Sequence, residues 1–284
     1  MRKAAAWRHI LLEVSLGMVV VLWIAMLIEG KEFGEKTVFA SVDSTAAWLT
    51  VLVATAFVVV SVYGTIPDRL LSFIPIGVLF NTAGSSVMLL LGLPFYGDAL
   101  GTMLVAIVSG PVAGAAAALI TTLLWGVGNP DILPHALLGV AAALAAGLLA
   151  RYRRLSTVNS VVLVGVLLGL VLGLLSAASV TFALGGELSP GMRSLADFFT
   201  YQYVPESKAI LFQSLVSVVL DIVFALLLAT LIVRFAPDSI RGYFTYWGNA
   251  DRLKLILREQ GEWEVADAAA EQNRQINAEA QRRV

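Results

Sequence analysis

The chain has no cysteine and only two histidines, His9 and His135, which fall in separate segments. Disulfides, thiolate metal sites and cysteine nucleophiles are therefore excluded, and an imidazole metal site is poorly supported, so no metal and no cofactor is expected. Charge is scarce as well: 14% of residues are Asp, Glu, Lys or Arg, and the formal net charge is -1. Without a basic face there is no footprint for nucleic acid. There is also no G-x-x-x-x-G-K-[ST] motif, so the chain carries no phosphate-binding loop of its own.

What the chain has in abundance is apolar sequence. Its 284 residues are 58% hydrophobic, with a mean hydropathy of +0.84, a balance that a polar-surfaced soluble domain does not carry. The fold expected is an all-α integral membrane protein. About eight transmembrane helices are read: Ile10 to Ile28, Ala46 to Tyr63, Leu70 to Leu91, Ala99 to Val108, Val112 to Val127, His135 to Ala150, Val158 to Ala183 and Ile210 to Phe235. The basic start followed by an apolar run also describes a signal peptide, but no A-x-A-like site follows, and the run is kept as the first membrane helix. Ala99 to Val108 is short for a core of about 30 Å, so it either begins inside the Leu93 to Asp98 loop or sits in a protein-walled recess.

Eight passes place Arg2, Lys3, Arg8, Arg69, Arg151, Arg153, Arg154 and Arg234 on one side, the cytoplasmic one, and leave the acidic Glu29 to Asp43 loop outside. The expected location is the cell (plasma) membrane, with N- and C-termini cytoplasmic. The Leu93 to Asp98, Gly128 to Pro134 and Gly185 to Lys208 loops then share the outer face; the last of these has enough aromatics to lie at the interface or close over a cavity. Residues 1–69 are read as two N-terminal helices and residues 70–236 as a six-helix bundle. Residues 237–284 are read as an amphipathic helix along the inner leaflet, with Leu253, Ile256 and Leu257 on its apolar stripe, followed by a polar tail.

Small residues mark the packing seams. Gly165, Gly169 and Gly173 recur at four-residue spacing on the seventh helix, as do Gly110, Gly114 and Ala118 on the fifth and Gly139, Ala143 and Gly147 on the sixth.

Polar residues inside the apolar runs are the candidate site. Asp221 lies deep in the last helix, where a carboxylate costs about 2.5 to 3.5 kcal/mol to insert and should face a cavity or a partner. Gln213 and Ser217 precede it at four-residue steps and put a polar line on one face. Asn81, Asp98, Asn129 and His135 converge on the same outer side. Each also has a purely structural reading: Asp98 as a helix N-cap, Asn129-Pro130 as a turn former, His135 as an interfacial residue. The candidate ligand-binding set is Asn81, Asp98, Asn129, His135, Gln213, Ser217 and Asp221.

The pattern Pro94-Phe95-Tyr96-Gly97-Asp98-Ala99-Leu100-Gly101-Thr102, followed by Gly110-Pro111-Val112-Ala113-Gly114, Asn129-Pro130 and a small-residue helix ending in arginines, resembles the S components of energy-coupling factor (ECF) transporters. The likeness covers Leu70 to Arg234 and loose motifs. It implies a six-helix bundle with an outward-opening pocket for a vitamin or related micronutrient, lined by outer loops and later helices. It also implies a coupling transmembrane subunit and ATPases as partners. Two features differ: Gly77-x-x-x-Asn81 stands where the family carries Ala-x-x-x-Ala for docking, and two helices precede the bundle. They suit a sensor or a subunit of another membrane complex as the alternative. A remote third reading is an intramembrane aspartyl enzyme using Asp98 and Asp221, although Tyr96-Gly97-Asp98 lacks the fuller Gly-x-Gly-Asp pattern. The leading expectation is non-enzymatic: a solute-binding membrane subunit energised by others.

Overall fold

The computed structural model describes residues 2–28, 41–63, 66, 68–94, 96–128, 130–152, 154–155, 157–188 and 190–236. Among these the chain is helical: α1 (Arg2–Ile28), α2 (Ser41–Val62), α3 (Asp68–Leu71), α4 (Phe73–Leu91), α5 (Ala99–Ser109), α6 (Pro111–Gly128), α7 (Ala136–Arg151), α8 (Val158–Ala178), α9 (Pro190–Tyr201) and α10 (Glu206–Phe235). A 3-10 turn (Pro130–His135) leads into α7, and a π turn (Ser179–Ala183) extends α8. Seven of these segments are long and apolar enough to cross a membrane, so the protein is a multi-pass membrane protein. The inner-leaflet helix expected over residues 237–284, and most of the acidic loop before α2, lie outside the described residues.

The eighth pass is α5, and it is only half a span. Its 11 residues cover about 16 Å, against about 28 Å for the 19 residues of α4. The Ser109 hydroxyl at its end donates to the Leu70 carbonyl (2.9 Å), so α5 returns fully to the level where α4 begins. The missing length is at its other end. There Gly97 packs against Gly84, seven residues below the end of α4, so close that a Cβ on Gly97 would stand 3.0 Å from the Gly84 carbonyl oxygen. Seven residues are about 10 Å of helix, so the backbone at Gly97 lies about that far into the bundle. Gly97 has φ +68°, a left-handed backbone that glycine adopts without strain.

Several boundaries differ from the sequence reading: α1 and α2 start at Arg2 and Ser41, ahead of the expected Ile10 and Ala46. The third helix is broken at Ser72 into α3 and α4. Pro75 explains the break: its ring would collide with the carbonyl four residues back, whereas in the first turn of a new helix its missing N–H costs nothing. The outer segment expected as a loop contains α9, an amphipathic helix with Met192 and Ala196 buried and Phe198 and Tyr201 exposed. The last helix begins at Glu206, one turn earlier than Ile210.

The glycine spacing of α8 is its contact with α10, the most extensive helix pair in the molecule. A methyl built on Gly165, Gly169 or Gly173 would lie 3.0, 2.6 and 3.0 Å from the Cα atoms of Val223, Val219 and Leu215. These are matched four-residue ladders running in opposite directions, and any side chain on α8 would force the backbones apart. Likewise Gly147 on α7 meets the Pro111 backbone, and Gly114 on α6 meets Ala106 of α5. The N-terminal pair packs onto this bundle: α2 lies along α6, the Ser15 hydroxyl of α1 donates to the Ala54 carbonyl of α2 (2.8 Å), and the Trp23 indole donates to Ser179 of the π turn (2.8 Å).

Candidate functional site

A backbone segment without helical hydrogen bonds at membrane depth needs polar partners, because each unpaired amide or carbonyl costs several kcal/mol there. The chain meets this need with side chains from α4 and α10. Gly97 N–H donates to Asp221 Oδ1 (3.0 Å), and the Ser217 hydroxyl donates to the Pro94 carbonyl. Gln213 Nε2 donates to Ser217 Oγ (2.9 Å) and so sets that hydroxyl, while the Ser214 hydroxyl donates to Gln213 Oε1 (3.3 Å). At the start of α5 the Thr102 N–H also donates to Asn81 Oδ1 (3.0 Å). Both protons of the Asn81 amide are also used, on Thr102 Oγ1 (2.9 Å) and Thr121 Oγ1 (3.0 Å).

Beside this latch lie two adjoining chambers. The inner one, of about 70 Å³, is walled by α4 to α8 and α10, and among its lining residues are Asn81, Asp98, His135 and Asp221. The outer one, of about 260 Å³, is walled by the last turns of α4, the π turn of α8 and the first residues of α9. Tyr96, Asp98, Trp125, Ile132 and His135 line both, and so form the neck between them. The Tyr96 and His135 rings stand 5.8 Å apart across this neck. All three loops expected on the outer face contribute to this end of the molecule. Above it α9 is held by Gly191, set against the Leu93 carbonyl, and by Arg193, which donates to the Gly186 carbonyl (3.1 Å) and pairs with Glu206 of α10 (3.1 Å).

Of the seven residues singled out from sequence, Asn81, Asp98, His135 and Asp221 come together on one chamber. Gln213 and Ser217 are buried but line neither chamber; their work is on the Leu93 to Asp98 backbone. Asn129 lies outside the described residues. Asp98 sits at the position preceding α5 but makes no side-chain capping bond, so its carboxylate is left for the chambers it lines. Glu13 is exposed on α1 and lines neither chamber.

Sequence reasoning missed Tyr96 and Trp125. Tyr96 was within reach, since it precedes the Gly-Asp pair, but Trp125 carries no local signal inside an apolar helix. Its indole N–H is buried without a hydrogen-bond partner, and the residue lines both chambers. Among the described residues no group of three His, Asp or Glu side chains comes together as a metal ion would need.

Comparisons with protein-family models, with curated proteins and with solved structures return no match.

Proposed function

We propose that this protein is a membrane-embedded binding subunit for a small solute, which enters beneath α9 and is held between Asp98 and Asp221. The observation that supports this reading is the pair of carboxylates on one chamber, beside an Asn81 whose amide protons are already committed to protein partners. Two carboxylates next to apolar walls are costly, and they persist where a ligand or water can pair with them. The combined space falls at the small end of ligand pockets, which commonly run to about 300–1,000 Å³. Uptake of a vitamin or related micronutrient, with separate energising subunits at the plasma membrane, is the form of this reading that the resemblance to S components supports. A sensor built on the same bundle would bind its solute in the same place and differ in its partners.

The direct test is native mass spectrometry of gently purified protein. A co-purified small molecule that is lost from Asp221→Asn supports the reading, and an empty wild-type protein that takes up no added solute contradicts it. Orientation is tested in the same cysteine-free background. A cysteine at Gln202 should react with an impermeant reagent applied outside intact cells, and one at Thr157 should be protected.

One observation favours a second reading: Asp98 and Asp221 line the same chamber, as an intramembrane aspartyl pair sharing a proton would require. Size weighs against it, because a chamber of about 70 Å³ does not admit an extended peptide backbone.

A further inference from the structure

The chemistry of the two chambers goes beyond the existence of a site and specifies what it takes. We infer that the solute is an organic cation, its charged head in the inner chamber among Asp98, Asp221 and the Tyr96, Trp125 and His135 rings, and its apolar body in the outer one. This rests on the solute-binding reading and deepens it.

Four independent features point the same way. No lysine or arginine among the described residues lines either chamber, whereas Asp98 and Asp221 line the inner one and Glu187 joins Asp98 on the outer one. An anionic solute would meet uncompensated like charge in a medium where charges interact strongly. The neck is aromatic on several sides, and ring faces attract cations electrostatically once water is excluded. A bare metal ion lacks its donors, since among the described residues no three carboxylate or imidazole groups are placed so as to hold one. Finally, besides Asp98 and Glu187 the outer chamber is lined by Met88, Leu89, Leu184, Leu188 and Met192, a wall for hydrocarbon. The unpartnered Trp125 indole N–H adds a detail: the solute carries a hydrogen-bond acceptor for it.

The test compares cations with neutral probes of similar shape on the full chain in lipid nanodiscs. Choline is set against 3,3-dimethylbutan-1-ol, its carbon isostere, and benzylammonium against benzyl alcohol. Binding is read by displacement of the co-purified solute and by protein fluorescence. At least one cation should bind about tenfold or more tighter than its neutral counterpart. That preference should collapse in Asp221→Asn, which keeps an oxygen to accept from Gly97 N–H, and in Asp98→Asn, whose carboxylate has no capping bond to lose. Equal binding within both pairs overturns the cation assignment, and so does a preference that survives both substitutions. If no probe binds, the cation assignment fails as well, and the solute-binding reading then stands or falls on the co-purified molecule alone.

Discussion

The two sides of α10 solve opposite problems with the same helical spacing. Toward α8 it presents Leu215, Val219 and Val223 at four-residue steps, each pressed against a glycine until the backbones nearly touch. Away from α8 it presents Gln213, Ser217 and Asp221 at the same steps, all buried and all polar: Ser217 and Asp221 bond Pro94 and Gly97, and Gln213 sets the Ser217 hydroxyl. The first side excludes everything; the second satisfies groups that a helix cannot satisfy for itself. Within the polar side there is a further division. Gln213 and Ser217 are spent on protein partners, whereas Asp221 gives one oxygen to Gly97 and also lines the cavity. Depth and polarity alone therefore do not mark a ligand-binding residue in a membrane helix. The account of hydrogen-bond partners does.

The largest effect should come from closing the tight side. Gly169→Leu places its side chain against the Val219 backbone, which cannot move without parting the two helices. It should cost about 3 kcal/mol or more, at the upper end of overpacking penalties. Thermal unfolding in detergent should show a large fall in midpoint, while Leu168→Ile on the same helix should shift it little.

The next effect sharpens the polar side. Asn81→Ala removes three hydrogen bonds inside the bundle, one from the Thr102 N–H and two to the Thr102 and Thr121 hydroxyls. The expected loss is about 1–3 kcal/mol in unfolding free energy. Solute affinity at temperatures where the variant is folded should change less than it does on losing either carboxylate. Smallest of all should be Gly17→Ala on α1, where an added methyl meets nothing within 4 Å. It should stay within about 0.5 kcal/mol of the wild type and serve as the glycine control.

Much of this arrangement was legible in the sequence because membrane helices announce themselves by length and apolarity. The helix pattern, the shortness of the α5 segment and the glycine line of α8 all follow from spacing alone. So does the common side of Asn81, Asp98, His135 and Asp221, because the loops at alternate ends of successive helices fall on one face. What could not be read was depth. Nothing in Leu93-Pro94-Phe95-Tyr96-Gly97-Asp98 says that it enters the bundle rather than lying at its surface; only the approach of Gly97 to Gly84, two residues far apart in sequence, fixes that. For the same reason Gln213 and Ser217 read as pocket wall, since the acceptor of the Ser217 hydroxyl that Gln213 sets, the Pro94 carbonyl, is backbone and has no sequence signature. Trp125 was invisible because an indole in an apolar helix is ordinary until its N–H is found without an acceptor.

The division between satisfied and available polar groups is tested most directly at Asp221. Asp221→Asn keeps the shape and an oxygen for Gly97 N–H while removing the charge, so stability and binding separate if the carboxylate serves a solute. Thermal unfolding and solute affinity should be measured on the same preparation. The account predicts an unfolding midpoint unchanged or raised, because a desolvated charge has been removed, together with a loss of about tenfold or more in affinity. Unchanged affinity with a lowered midpoint would contradict it and make Asp221 one more support for the re-entrant backbone.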